Sequence, residues 1–487
     1  MLTKKMKLVL MTCTKIHWIR ENLGCLSTTV LVFFLCVGCT SYHAQPLIPE
    51  KEIKGLESRR LDSADLRKFL EENSGSKLDC WPIQKWDFKW LLLASFYLHP
   101  DLEVARAQWR VTQAGILVAK GRPNPVISGG PGYNFSAATG VTPWMPFGSL
   151  DVPVETAGKR GIRMALAERN AESARWNYVQ LAWQIRSRLR QALLEYQVAQ
   201  SRRHLLQQQF EVQSRVVDLL KKRLEAGDIS SVELISARMS LAKIAAEVEK
   251  TQSEIEGQMG QLAMAIGVTR ASLVGITIDL DYKPIQTHPL TTKNARLAAL
   301  VGRADIRSAL ADYAASEEAL RLEIAKQYPD IHFSPGYQYD QGENKWTFGV
   351  SAELPVLNQN QGPIREAEAK RALEKAKFLQ LQSQVESQIE LALNRWTQSQ
   401  KQESNAKNFL NLSIQQTESV KGQLHAGMST PLELASAEVD LIASRLAHLD
   451  SEMAVSAALR ALEDALQQPA DTFCNFEKWN LKMEESR

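Results

Sequence analysis

LDVPVETAGKRGIRMALAER, residues Leu150 to Arg169, is written a second time as AELPVLNQNQGPIREAEAKR, residues Ala352 to Arg371. Aligned without gaps, the two stretches share Pro153/Pro355, Val154/Val356, Ile162/Ile364, Arg163/Arg365, Ala165/Ala367, Ala167/Ala369 and Arg169/Arg371. Each turns an extended run into a long helix. Upstream, Pro125–Tyr133 (PVISGGPGY) matches Pro329–Tyr337 (PDIHFSPGY), and downstream Arg223–Leu234 (RLEAGDISSVEL) matches Gln423–Leu434 (QLHAGMSTPLEL). The offset drifts only from 204 to 202 to 200 residues. A repeat that long is a duplicated domain, not a short solenoid module.

Within each copy, hydrophobic periodicity predicts a helix, two extended runs, a very long helix, a turn and a returning helix. The opening helices run from Asp101 to Lys120, ended by Gly121 and Pro123, and from Asp305 to Gln327, stopped by Pro329. The clearest extended run is Lys345–Pro355, KWTFGVSAELP. Trp346, Phe348, Val350, Ala352 and Leu354 fall on one side and polar residues on the other, which suits either a membrane barrel or one face of a soluble sandwich. From Gly161 to about Leu224 there is no proline and no further glycine, so some 64 residues predict a helix about 95 Å long. Its twin runs from Pro363 to about Leu424. Such lengths imply coiled-coil packing or a tube of helices.

Both long helices end at a matched motif. Ala226-Gly227-Asp228-Ile229-Ser230 and Ala426-Gly427-Met428-Ser429-Thr430 predict a glycine helix end followed by a Ser/Thr N-cap. Glu233 and Glu433 stand three residues after Ser230 and Thr430, the capping-box spacing. Return helices to Ile266 and about Gln467 complete two hairpins with chemically similar tips.

The first 38 residues carry five Lys/Arg and one Glu, leaving 53 basic and 54 acidic residues in the remainder. That balance carries no nucleic-acid footprint. Lys4, Lys5, Lys7, Lys15 and Arg20 precede an apolar core, Leu26–Val37, and then Gly38-Cys39. The core is too short for a bilayer span of about 20 residues, so an export signal is the expectation. Gly-Cys at its end resembles a bacterial lipoprotein signal, which makes residues 1–38 the leader and Cys39 the lipidated residue; a plain signal peptide or an uncleaved anchor is the alternative. The long basic region leaves Met6 or Met11 as alternative starts. Cys80 and Cys474 then remain, outside both repeats, either bridging the two ends of the mature chain or lying buried as free thiols.

With these motifs in hand, the chain from about Pro100 to Gln467 resembles the outer-membrane efflux proteins of the TolC family. VPVETAGKRGIRMA and PVLNQNQGPIREAEA are most similar to its cobalt-zinc-cadmium efflux branch, although Thr156-Ala157 stand where that branch commonly has Leu-Gly. The resemblance implies a mainly α fold with a small β part. Duplicated helical hairpins would form a trimeric tunnel, and four strands per chain would contribute to a 12-stranded outer-membrane barrel, since four alone enclose no lumen. It divides the chain into an N-terminal segment (39–99) packed on the body, a first repeat (100–267), an equatorial connection (268–302), a second repeat (303–467) and a tail (468–487). It implies a homotrimer in outer-membrane lipid with a periplasmic extension. A periplasmic membrane-fusion adaptor would dock at Leu224, Ala226, Gly227, Ser230, Leu424, Ala426, Gly427 and Thr430, and an inner-membrane pump of RND type would drive export of divalent metal cations.

Glu433 matches an acidic gate position of the family, while Ser436 stands at the next; three copies would form an anionic ring whose mutual repulsion raises the pKa. Glu433 as a plain helix cap is the equal alternative. Drug export, type I protein secretion and a periplasmic coiled-coil scaffold or adaptor lipoprotein are the other functions considered. No cofactor, catalytic constellation or metal-ligand spacing is present in the sequence: the eight histidines are scattered and there is no HExxH or CxxC.

Overall fold

Glycines and prolines cut the chain where its sequence places them, in a computed structural model that describes residues 42–75, 77–78, 80–279 and 293–469. The leader, Cys39 and the tail with Cys474 lie outside the described residues, so neither the lipidation nor the Cys80–Cys474 expectation is addressed; Cys80 itself is exposed. The chain divides into two units, Met1–Gly55 and Leu56–Arg487. Helix α1 (Pro49–Glu57) spans their boundary and buries none of its residues.

The second unit begins with α2 (Ala64–Ser74), capped by Ser63, and α3 (Phe88–Leu98), capped by Asp87, whose carboxylate accepts the Trp90 N–H at 2.8 Å. His99 ends α3 and caps α4 (Pro100–Lys120), with Pro100 at the first helical position, where a missing N–H is harmless. A two-residue strand β1 (Lys85–Trp86) lies between α2 and α3. The first repeat continues with β2 (Val126–Gly130), β3 (Phe147–Val154), α5 (Lys159–Glu225) and α6 (Ser231–Ile266). A short 3-10 turn (Arg270–Leu273) and β4 (Thr277–Ile278), which pairs in parallel with β1, follow. Then come α7 (Lys293–Gly302), α8 (Ala304–Ala325), β5 (Ile331–Asp340), β6 (Glu343–Ala352), α9 (Gln361–His425) and α10 (Pro431–Leu466).

The two long helices have 67 and 65 residues, about 100 Å each. Each starts two residues earlier than glycine and proline placement suggests, after a left-handed residue that swings the chain out of the sheet: Gly158 (φ +69°) and Asn360 (φ +59°). Helix α5 is the hub. Its first part packs between α4 and α8, and its remainder between α6 and α10; α9 packs on α8 and α10. The result is a single layer of helices with α4 and α6 along one edge and α9 along the other.

Among the described residues, core lies in three patches along this layer. At the waist, Ile185, Leu189 and Leu193 of α5 meet Leu262 and Ile266 of α6 and the apolar faces of α2 and α3, with Trp86 inside. Trp86 is buried in this patch, and Trp81 and Trp90, partly buried, pack against the patch. The equivalent patch of the second copy joins Val385 and Ile389 of α9 to Leu459 and Leu462 of α10. The third, at the tips, is described below. Each fully buried Leu or Ile contributes about 1.5–3 kcal/mol.

The four repeat strands form one antiparallel sheet in the order β2-β3-β5-β6. Strand β6 ends at Ala352, three residues before the run Lys345–Pro355 ends in the sequence, because its partner β5 begins at Ile331 and Ala352 is the last residue it can pair. Registers place Leu150, Val152, Phe333, Tyr337, Trp346 and Phe348 on one side of the sheet. Ser149, Asp151, His332, Ser334, Gln338 and Lys345 share the other. The first face is mainly apolar, with Asn344 at its end, and the second mainly polar, although Val126, Phe147 and Pro153 also lie on it; both edge strands are open within the chain.

Candidate functional site

At the tips, the same backbone device closes both hairpins. The N–H groups of Gly227 and Asp228 donate to the carbonyls of Leu224 and Arg223 at 3.0 and 2.9 Å; those of Gly427 and Met428 donate to Leu424 and Gln423 at 3.0 and 2.8 Å. Gly227 (φ +83°) and Gly427 (φ +73°) sit in the left-handed region that this closure needs. Ala226, Gly227, Ser230, Ala426, Gly427 and Thr430 are exposed, while Leu224 and Leu424 are half-buried. The fold brings the two tips side by side: Val216, Leu220 and Leu234 of the first hairpin pack with Ala435 and Ile442 of the second, and Arg215 pairs with Glu438 at 2.7 Å. Between α5 and α10 a groove of about 360 Å³ is lined by Asp218, Leu219, Lys222, Pro431 and Leu434.

The tips differ in their caps. Thr430 and Glu433 make a complete capping box: Thr430 Oγ1 accepts the Glu433 N–H at 3.2 Å, and Glu433 Oε2 accepts the Thr430 N–H at 2.8 Å. The hydroxyl of Ser429 also donates to Glu433, at 2.6 Å. These bonds, that from Ser429 first, hold the Glu433 carboxyl below the usual carboxylate range. Within one chain the shift is therefore opposite to the one expected of a repulsive ring. Ser230, by contrast, makes no side-chain cap bond, and only its hydroxyl approaches Glu233 at 3.5 Å, so the expected first capping box is absent. The second copy has Pro431 at the first helical position, with its φ preset, where the first has Ser231.

At the waist, charges that sequence patterning leaves unmarked are deeply buried. Glu463 of α10 is 0 % exposed and binds Arg190 and, at 3.7 Å, Arg186 of α5. The Arg186 guanidinium lies over Trp183 and Phe88, 5.0 and 5.7 Å from the ring centres. Next to it, Asp464 accepts from Trp183 Nε1 at 3.1 Å, Ser187 Oγ at 2.5 Å and Arg460 at 3.1 Å. The sole sequence signal is the pair Arg186 and Arg190, one helical turn apart on a face that also carries Leu189 and Leu193.

A second network fastens sheet to helices. Lys159 Nζ donates to Asp330 at 2.8 Å and to the Tyr328 carbonyl at 2.6 Å; Thr156 donates its N–H to Asp330 at 3.0 Å and its hydroxyl to the Pro329 carbonyl at 2.6 Å. Burial disfavours the Asp330 charge, but Lys159 and the Thr156 N–H outweigh it and hold the carboxyl below its ordinary value. The departure at Thr156 thus has a structural use. On the polar side of the sheet, Asp151 links His332 Nδ1 (2.9 Å) and Ser334 Oγ (3.0 Å). Among the described residues no cluster of three His, Cys, Asp or Glu side chains could hold a metal ion, and no helix is long and apolar enough to cross a membrane.

This architecture has known counterparts. The outer membrane protein VceC of Vibrio cholerae superposes with a TM-score of 0.65 at 19 % identity, over 79 % of this chain and 97 % of that one. The cobalt-zinc-cadmium resistance protein CzcC of Cupriavidus metallidurans is 24 % identical over 270 residues, 55 % of this chain and 62 % of CzcC. The nickel-cobalt-cadmium resistance protein NccC of Alcaligenes xylosoxydans xylosoxydans is 24 % identical over 233 residues, 47 % of this chain and 52 % of NccC. The alignments thus span less than two thirds of these relatives. The outer membrane efflux protein profile matches residues 97–268 and 297–467, the two repeats with their opening helices and strands, and the chain belongs to the outer membrane efflux protein family.

Proposed function

We propose that three copies of this chain form an exit duct through the outer membrane, with the sheet in the bilayer and the helical hairpins extending into the periplasm. The observation that carries this is the sheet: one face mainly apolar, the other mainly polar, both edges open, and continuous with a helical layer that is open along the corresponding edges. Strands β5 and β6 have ten residues each, so at a tilt of about 40° they rise about 25 Å, the height of an outer-membrane apolar band. Twelve strands close a barrel roughly 24 Å across between backbones, which leaves a lumen and removes the edges that lipid does not tolerate.

In this reading the polar face with Asp151, His332 and Ser334 lines the lumen, and the tips around Gly227 and Gly427 dock a periplasmic adaptor joined to an inner-membrane pump. Glu433 caps α10 and presents its charge to the periplasmic mouth. The chain is a passive conduit, not an enzyme. The metal-resistance names of the two relatives support divalent cations as cargo. The leader and Cys39 supply a lipid anchor, which Cys39→Ser would abolish; normal lipid labelling of that variant would remove the anchor from the scheme.

The deciding measurement is the mass and single-channel conductance of protein extracted from outer membranes in detergent. A trimer that inserts as a pore is expected. A monomer without conductance would overturn the duct and leave a periplasmic scaffold.

A further inference from the structure

The two strand hairpins are related residue by residue. Pairs Ile127–Leu150, Ser128–Ser149 and Gly130–Phe147 of the first correspond, at offsets of 204 and 202, to Ile331–Ala352, His332–Ser351 and Ser334–Gly349 of the second. Even the cross-strand aromatic contact is duplicated: Tyr133–Trp144 and Tyr337–Trp346 have ring centres 5.1 and 5.0 Å apart. The first hairpin also continues beyond β2. Gly132 and Met145 exchange both backbone bonds (3.1 and 2.7 Å), and the Asn134 N–H donates to the Pro143 carbonyl at 2.7 Å.

One junction between hairpins is visible inside the chain. Strands β3 and β5 pair as Phe147–Gln338, Ser149–Gly336, Val152–Phe333 and Val154–Ile331, with a gap opposite Pro335, which lacks the N–H. The other junction has no partner in the chain. On the outer edge of β2, Gly132 bonds inward, so Ile127, Gly129 and Tyr133 turn their backbone groups outward. On the outer edge of β6, the turn at Gln341-Gly342 closes on Asp340–Glu343, so Phe348, Val350 and Ala352 do the same. Both edges carry exposed apolar side chains: Ile127 is 75 % exposed and Phe348 71 %; in the turn after Tyr133, Phe135 is 93 % exposed, and beyond β6 Leu354 and Val356 are 77 % and 75 % exposed.

Resting on the trimeric reading, we propose that β6 of one copy pairs with β2 of the next in the register that repeats the β3–β5 junction. Val356 then faces Ile127, Leu354 faces Gly129, Val350 faces Tyr133 and Phe348 faces Phe135. Val350 and Tyr133, which both turn their backbone groups outward, meet in this register, so the hydrogen-bond phase is satisfied there; the Val356 N–H, which donates to the Leu354 carbonyl at 2.8 Å within the chain, exchanges that bond for the ladder. Every one of these pairs lies on the apolar side. Ala352 faces Pro131, the repeat counterpart of Pro335, so the ladder breaks where β3–β5 breaks. Pairing also extends β6 to Val356, the counterpart of Val154 where β3 ends, and thereby covers Leu354 and Val356. A two-residue slip keeps the faces matched but loses the proline and strand-end agreement.

The test uses full-length protein in outer membranes with Cys80→Ser and Cys474→Ser as background. Tyr133→Cys is combined in turn with Phe348→Cys, Val350→Cys or Ala352→Cys and oxidised. Facing residues have Cα atoms about 5 Å apart, within disulfide reach, and neighbours two along the strand lie beyond about 7 Å. The Val350→Cys pair should give at least about fivefold more reducible, covalently closed trimer than either other pair. A second set, Ile127→Cys with Leu354→Cys or Val356→Cys, should favour Val356→Cys. Intact conducting trimers that cross-link best through Phe348→Cys or Ala352→Cys, or through no pair, overturn the register while the duct stands. Loss of both trimer mass and conductance in the unsubstituted background overturns the duct itself.

Discussion

Glu463→Ala should destabilise this protein more than any other single charge removal described above. Its carboxylate is fully buried against Arg190 and Arg186, both on α5, so it joins the last helix of the second repeat to the long helix of the first. Arg186 is 1 % exposed and held between Trp183 and Phe88, which prevents it from swinging out to water when the carboxylate is lost. Removing one partner of such a buried pair costs about 3–5 kcal/mol, most of it the expense of a charge left without its counterion. The assay is urea-dependent loss of the folded, protease-resistant form at fixed protein concentration, for Glu463→Ala, Arg190→Ala and the double variant. The double variant should be less damaged than the sum of the two, with a coupling energy of at least about 2 kcal/mol. Single losses below about 1 kcal/mol, or additive effects, would refute the assignment of Glu463 as the clasp between repeats.

Three further outcomes are expected. Burial holds the His99 imidazole below the ordinary histidine value of 6.5, and its Nδ1 accepts the Asp101 N–H at 3.2 Å; the unfolded chain therefore protonates first, so this stabilisation is complete above pH 6.5 and is lost as pH falls through the folded value. His99→Asn, which keeps an acceptor that does not titrate, should flatten that limb of a stability–pH curve measured by urea unfolding. Gly267→Ala should cost about 2–5 kcal/mol in the same assay, because φ is +88° and the added Cβ would lie 2.6 Å from the His99 Cα; Gly227→Ala, equally left-handed but with open space around it, should cost only about 1–2 kcal/mol. Thr430→Ala should loosen its tip by roughly 1 kcal/mol and speed limited proteolysis there, whereas Ser230→Ala, which removes no cap bond, should leave cleavage at the first tip unchanged.

What lay in the sequence was most of what near neighbours set. Periodicity and the absence of breakers marked α5 and α9, glycine followed by Ser/Thr marked the tips, and alternation from Trp346 to Ala352 marked a strand with one apolar face. The α6 and α10 ends at Ile266 and Leu466 agree with the sequence to within a residue. The spacing of a capping box is alike at both tips, yet only Thr430 and Glu433 form one, with Pro431 at the first helical position and Ser429 adding a bond to Glu433. The neighbours of each element are another matter. The strand order β2-β3-β5-β6, the pairing of β1 with β4, the adjacency of the two tips and the Glu463–Arg190 contact join residues far apart in the chain. A buried glutamate and a solvated one are spelled the same way. Only the packing of α10 onto α5 takes Glu463 out of water, and only then does its charge require the two arginines.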